Sequence, residues 1–228
     1  MTQAMPEVRR LRWQPAHRIV PTRYPTVYLF DRVAESEDFD ALYALESLTN
    51  ERIRDEVGQV DLVAQEDRLV GPGSGPVMAA FTHLNPEGSR FSDGSYGVFY
   101  AAHDKDTAVA ETQYHHAKFL AATKQPAMQL PMRLYAVRIS AQVHDLRPLD
   151  PDGVGVHAAE SYVASQDLGK QLRKQGSAGV AYRSVRHPGG ECVGLFKPKG
   201  ASQCVHAAHL LYVWNGQTFA DVYEKLSA

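Results

Sequence analysis

Residues 88–123 read GSRFSDGSYGVFYAAHDKDTAVAETQYHHAKFLAAT, and they decide the fold class. The stretch opens on a polar loop bounded by Gly88 and Gly94. Tyr96–Ala102 follows, rich in aromatic and small apolar residues, and reads as a strand. Period-two alternation puts Tyr96, Val98 and Tyr100 on one face and Gly97, Phe99 and Ala101 on the other. Asp104 is a good N-cap residue, and Lys105–Ala122 is rich in helix formers. Helical spacing then sets Ala108, Glu111, His115 and Phe119 along one stripe. The order is loop, strand, cap, helix.

Working outward, strands dominate the second half. Met132–Ile139, Gly179–Ser184, Cys192–Lys197 and Leu210–Trp214 read as strands, and Ser161–Gln175 as a helix ended by Gly176. Towards the start, residues 1–35 alternate short apolar runs with Pro15, Pro21 and Pro25. They read as an extended arm leading to a strand at Thr26–Phe30. Phe39, Leu42, Leu45, Leu48 and Ile53 recur at helical spacing, from a cap at Ser36 or Asp38 to near Gly58. A short strand at Val60–Val63, a turn cluster at Val70–Gly75 and a short element from Val77 to Phe81 follow. Helices inserted singly among strands predict an α+β fold rather than a doubly wound parallel sheet. One domain is expected over 1–228, with an N-terminal arm 1–35 and a helical insert at about 36–75.

Composition excludes several functions. The chain of 228 residues is 44% hydrophobic and 22% charged, as a packed core requires. Its net charge is -2, and no basic block extends beyond Arg9, Arg10 and Arg12. Direct nucleic-acid binding through a broad positive face is therefore not expected. No apolar run approaches the roughly 18 residues of a membrane span. MTQAMPEVRRLRW has no apolar signal region, so a cytoplasmic location is expected. The two cysteines, Cys192 and Cys204, fit neither a zinc knuckle nor a CxxC site, and reduced thiols are the expectation. Adjacent His115 and His116 diverge by about 100° on a helix, and no HExxH occurs, so no metal is expected. VGPGSG lacks the GK[ST] of a phosphate loop, and no GxSxG surrounds Ser184.

Four residues could carry chemistry. Arg90 lies between two glycines, and its planar fork suits phosphate oxygens. Tyr100 ends the proposed strand, where it could stack on or hydrogen-bond an aromatic ligand. Glu111 has small neighbours at Ala108 and Ala110. A carboxylate so placed could bind a ribose hydroxyl and stabilise a developing sugar cation. Ser184 ends a strand before the turn VRHPGG, where its hydroxyl can position a ligand or another group. Taken singly, each would read as an ordinary surface or packing residue.

Taken together, they resemble the RES-domain family. The likeness runs through GSRFSDGSYGVFYAAHDKDTAVAETQYH, with Arg90, Tyr100 and Glu111 in the family's order, and through GVAYRSVRHPGGECVGLF, with Ser184. HRIVPTRYPTVYLFDRV resembles the arm that supplies a further arginine, placed at Arg23 beside Tyr24, with Arg32 as the alternative. The resemblance covers about residues 20–215, and the chain looks like a longer family member. It implies an ADP-ribosyltransferase-like split β-sheet core with an NAD⁺ cleft. It also implies a toxin of a toxin–antitoxin pair, neutralised by an Xre-like antitoxin, with assembly into that complex or into a homo-oligomer. The implied reaction consumes NAD⁺ as substrate, by hydrolysis or phosphorolysis at the nicotinamide–ribose bond. Protein ADP-ribosylation is the alternative, and a non-catalytic nucleotide-binding module a second one. The implied roles are Glu111 stabilising the ribosyl cation, Arg90 and Arg23 holding the pyrophosphate, Tyr100 and Tyr24 packing on the nicotinamide end, and Ser184 bonding near the ribose.

Overall fold

The computed structural model describes residues 5–24, 27–33, 35, 37–49, 52–149 and 155–225. In chain order its elements are β1 (Val8–Pro21), α1 (Leu29–Arg32), α2 (Phe39–Thr49), α3 (Arg52–Val57), α4 (Gly75–Thr82), β2 (Phe99–Ala102), α5 (Lys105–Ala122), β3 (Met128–Asp145), α6 (Val163–Lys174), β4 (Gly179–Arg183), β5 (Glu191–Leu195), β6 (Ala201–Trp214) and β7 (Phe219–Lys225).

β3 is the spine of the sheet. Along one edge it pairs antiparallel with β1, from Val8 opposite His144 to Pro21 opposite Met132. Along the other it pairs with β6 over Met128–Ile139. Beyond that point β4 takes over, parallel, at His144 and Asp145. The sheet therefore splits into β1-β3-β6-β7 and β4-β5-β2, and His17 opposite Ala102 rejoins β2 to β1. Every ladder except β3–β4 is antiparallel, so the α+β expectation holds. β1 slips register between Trp13 and Ala16. Pro15 lies in that slip, where a missing N–H costs the ladder nothing.

Apolar side chains sort to the two faces. One cluster joins Trp13, Phe99, Tyr135 and Val193 to Phe30, Phe39, Val57 and Met78 of the helices between β1 and β2. Phe30 stacks on Phe39 with centroids 4.5 Å apart. Each such ring, fully buried, contributes roughly 1.5–3 kcal/mol. The second cluster joins Tyr96, Val98, Ala102, Tyr182 and Tyr212 to Ala108 of α5 and Leu172 of α6. The alternation read from the sequence is thus realised: Tyr96 and Val98 face the second cluster, Phe99 and Ala101 the first.

α5 starts where expected, with the Asp104 carboxylate accepting the Thr107 N–H at 2.7 Å. Other expectations need correction. The arm before residue 22 is mostly the 14-residue strand β1, which takes ladder pairing along the whole flank of β3. The expected strand at Thr26–Phe30 becomes α1, with Leu29 and Phe30 buried, and Thr26 lies outside the described residues. Val60–Leu62 is a 3-10 turn rather than a strand, with Val60 turned into the core. The helix expected to run to Gly58 is two helices, α2 and α3. Strand β7 has no counterpart in the sequence reading. No helix of the described residues is long and apolar enough to cross a membrane.

Candidate active site

Ser184 follows β4 directly, and its hydroxyl organises the turn that comes next. The Oγ accepts the backbone N–H of Arg186 at 3.1 Å and of His187 at 3.0 Å. Its own proton goes to Glu111 Oε1 at 2.6 Å. The Ser184 N–H closes the loop by donating to the Gly190 carbonyl at 2.8 Å. A hydroxyl has one proton and two acceptor positions, so Ser184 is fully engaged and is held as a positioning group rather than a free nucleophile. Glu111 is half-buried on α5. One carboxylate oxygen is fixed by Ser184, and among the described residues Oε2 has no hydrogen-bond partner. That oxygen is available to a ligand hydroxyl.

Arg90 is buried rather than open to solvent. Its Nη1 donates to the carbonyls of Val156 at 3.2 Å and Ala158 at 3.0 Å, and its guanidinium lies over the Tyr162 ring at 4.6 Å. The loop carrying it is pinned from two sides. The Tyr100 hydroxyl accepts the Phe91 N–H at 2.9 Å and bonds Ser89 Oγ at 2.8 Å. Gln166 of α6 donates to the Ser89 and Ser92 carbonyls. Tyr100 is thus an anchor for the Arg90 loop. Burial pushes its phenol well above the ordinary range, against the pull of its bonds to Ser89 and Phe91.

The charges of Arg90 and Glu111 converge on one buried pair, Tyr182 and Cys192, which face each other across β4 and β5. Burial is the main cause of both raised pKa values. Glu111 raises both further and Arg90 lowers both. Arg90, Tyr100, Glu111 and Ser184 therefore meet in one region from two separate stretches of chain, 88–123 and the end of β4.

Arg23 and Tyr24 stand apart from that group. Both are exposed in the turn after β1, with Arg23 Nη2 on the Tyr24 hydroxyl at 3.0 Å. Arg133 fixes this turn by donating to the Thr22 and Tyr24 carbonyls. Arg23 reaches α5 electrostatically beyond Glu111: His116 is held down to about 4, first by burial and then by the Arg23 charge. Arg32 pairs instead with Glu46 of α2 at 3.0 Å, on the other side of the sheet. Both cysteines are free and buried. Among the described residues no group of three or more His, Cys, Asp or Glu is placed to hold a metal ion.

Residues 66–215 match the profile of the RES domain. The chain belongs to the RES-domain family. A relative of this RES-domain protein, the uncharacterized protein y4oC of Sinorhizobium fredii, is 30% identical over 207 residues, covering 91% of this chain and 86% of that one. Among solved structures, the M. tuberculosis MbcT–MbcA toxin–antitoxin complex contains a chain of 9% identity, with 97% of this chain and 86% of that chain covered and a TM-score of 0.43.

Next to the group of Arg90, Tyr100, Glu111 and Ser184 lie residues that the sequence does not single out. The Arg186 side chain, only 10% exposed, places its guanidinium 3.2 Å from the centre of the Tyr114 ring. Its Nη1 lies 3.4 Å from Glu160, and Nη2 donates to the Ala159 carbonyl. The Tyr114 hydroxyl donates to the same Glu160 carboxylate at 3.1 Å. Segment 156–160 therefore occupies both Arg90 and Arg186. The sequence holds a local hint of Arg186, in the turn after Ser184, but none of its partners.

Proposed function

We propose that this RES-domain protein cleaves NAD⁺ at the bond between nicotinamide and ribose C1′, and serves as the toxin of a toxin–antitoxin pair in the cytoplasm. The observation that carries the reading is the Ser184–Glu111 hydrogen bond of 2.6 Å, which fixes one carboxylate oxygen and leaves the other without a hydrogen-bond partner among the described residues. Breaking the glycosidic bond develops positive charge on the ribose, and a fixed carboxylate is what such a transition state requires. Glu111 Oε2 accepts a ribose hydroxyl and stabilises that charge. Nicotinamide leaves with the bonding electron pair, as a neutral molecule. A nucleophile then bonds to C1′ and gives up its proton.

Arg23 bears on the pyrophosphate, joined by the Arg90 nitrogens other than Nη1, which the Val156 and Ala158 carbonyls hold, and Tyr24 bears on the nicotinamide end. Tyr100 supports the site from below by anchoring the Arg90 loop. Family membership supports a cognate Xre-like antitoxin as partner. The test is incubation of the purified chain with NAD⁺, with and without phosphate, and with labelled NAD⁺ in cell lysate. Free ADP-ribose identifies hydrolysis, its phosphate ester phosphorolysis, and labelled protein bands ADP-ribosyl transfer. Glu111→Gln should lower turnover by about 10²–10³-fold, the usual loss for one charge-stabilising group. A Glu111→Gln protein that consumes NAD⁺ at the wild-type rate would overturn the assignment.

A further inference from the structure

The turn that holds Ser184 is clamped to α5 at a second point. Thr107 is fully buried, one helical turn before Glu111 and on the same face. Its hydroxyl lies 2.8 Å from Asp104 Oδ2 and 2.8 Å from His187 Nδ1. Asp104 already caps the helix through the Thr107 N–H. Burial by itself would raise the Asp104 pKa. The two Thr107 bonds and the nearby His187 and His103 outweigh it and leave the pKa lowered. Asp104 is thus a carboxylate and can only accept. The single Thr107 proton therefore goes to Asp104, and His187 must carry its proton on Nδ1 and donate it to Thr107.

These bonds form a closed circuit. It runs from Asp104 to Thr107, to the His187 ring, to the His187 backbone N–H, to Ser184 Oγ, to Glu111, and back along the helix. Two contacts on one helix face, a turn apart, fix both the distance and the angle of the Ser184 turn against α5. Without the Thr107 contact, the turn would be held to α5 by Ser184 and by Arg186 on the Tyr114 ring, both on the far side of His187 from Gly190. The packing is close enough to need Gly190, where an added Cβ would come within 2.4 Å of Thr107 Oγ1.

We infer that Thr107 and His187 are positioning residues for Glu111, acting through Ser184. This rests on reading Glu111 as the carboxylate of NAD⁺ cleavage. Neither residue touches substrate, so losing the circuit lowers kcat and leaves KM within about twofold. The drop in kcat is on the order of ten- to a hundredfold, as small misplacements of a catalytic group cost. Thr107→Val removes the hydroxyl while keeping the shape, and His187→Ala removes the donor without touching the helix cap. Thr107→Ser and His187→Asn, which retain a hydroxyl and an N–H donor, restore most of kcat.

A second readout needs no NAD⁺. Hydrogen exchange at the Arg186 and His187 amides, both bonded to Ser184 Oγ, speeds up about tenfold in Thr107→Val and His187→Ala. Unchanged exchange overturns the inference. So does faster exchange with wild-type kcat, or a lower melting temperature with kcat intact, which would make the pair merely structural. If the wild-type chain consumes no NAD⁺, the functional reading fails by itself. Amide exchange then still decides the matter: faster exchange upholds the clamp and unchanged exchange removes it.

Discussion

Replacing Ser184 with alanine removes one oxygen and three hydrogen bonds. One is charge-assisted, to Glu111 at 2.6 Å, and two are accepted from the Arg186 and His187 amides. A bond to a charged group contributes about 1.5–3 kcal/mol and a neutral one about 0.5–1.5. Both amides lie in a half-exposed turn where water can replace the hydroxyl, so the lower ends apply. The expected loss is about 2–4 kcal/mol, or roughly 5–15 °C in Tm for a chain of this size. Activity tests the reasoning more sharply than stability. If Ser184 acts through Glu111, Ser184→Ala lowers kcat about 10–100-fold, and the double variant with Glu111→Gln is no slower than Glu111→Gln alone. The assay is steady-state NAD⁺ consumption across the four proteins of the cycle, each checked for folding by its Tm. Losses that multiply in the double variant would refute the coupling. A Ser184→Ala protein slower than Glu111→Gln would point instead to the hydroxyl as a direct participant.

Two further outcomes follow from the same geometry. Tyr100→Phe frees Ser89 and the Phe91 amide, so stability falls by about 1–3 kcal/mol and KM for NAD⁺ rises as the Arg90 loop loosens, both measurable by denaturant unfolding and initial rates. An unchanged KM would mean that Gln166 holds the loop unaided. Asp145 is buried, and its carboxyl pKa is lowered chiefly by the Arg147 side chain. A lowered folded pKa stabilises fully above the unfolded value of about 3.9 and is lost as pH falls towards the folded one. Tm should therefore fall as pH drops below about 4, and the drop should be shallower in Asp145→Asn; parallel curves for the two proteins would contradict this.

Where the sequence reading succeeded, the decisive interactions were local. Asp104 and the helix after it are specified within a few residues by capping and propensity. The two faces of Phe99–Ala102 follow from backbone pleating, although the strand starts three residues later than the expected Tyr96. Where the structure differs, apolar content alone does not say what covers it. Leu29 and Phe30 bury equally well from a helix turn as from a strand, and the stacked contact with Phe39 settles which. The prolines of β1 suggest irregular chain, an arm rather than a strand. Its order comes from β3, more than a hundred residues away, whose ladder pairs with it on both sides of Pro15.

The residue types of the site were visible in the sequence, as was the helix that carries Glu111, because one contiguous segment encodes loop, strand, cap and helix. What only the folded chain decided is the role each side chain takes. Arg90 is buried against two carbonyls, Tyr100 holds a loop, and Ser184 gives its proton to Glu111. The Arg23 charge lowers the pKa of His116 on α5, and Arg32 pairs with Glu46 of α2. The physical reason is that hydrogen bonds act over about 3 Å, while the partners here lie far apart along the chain. Only the split sheet, with β3 passing from β6 to β4, brings them within that range.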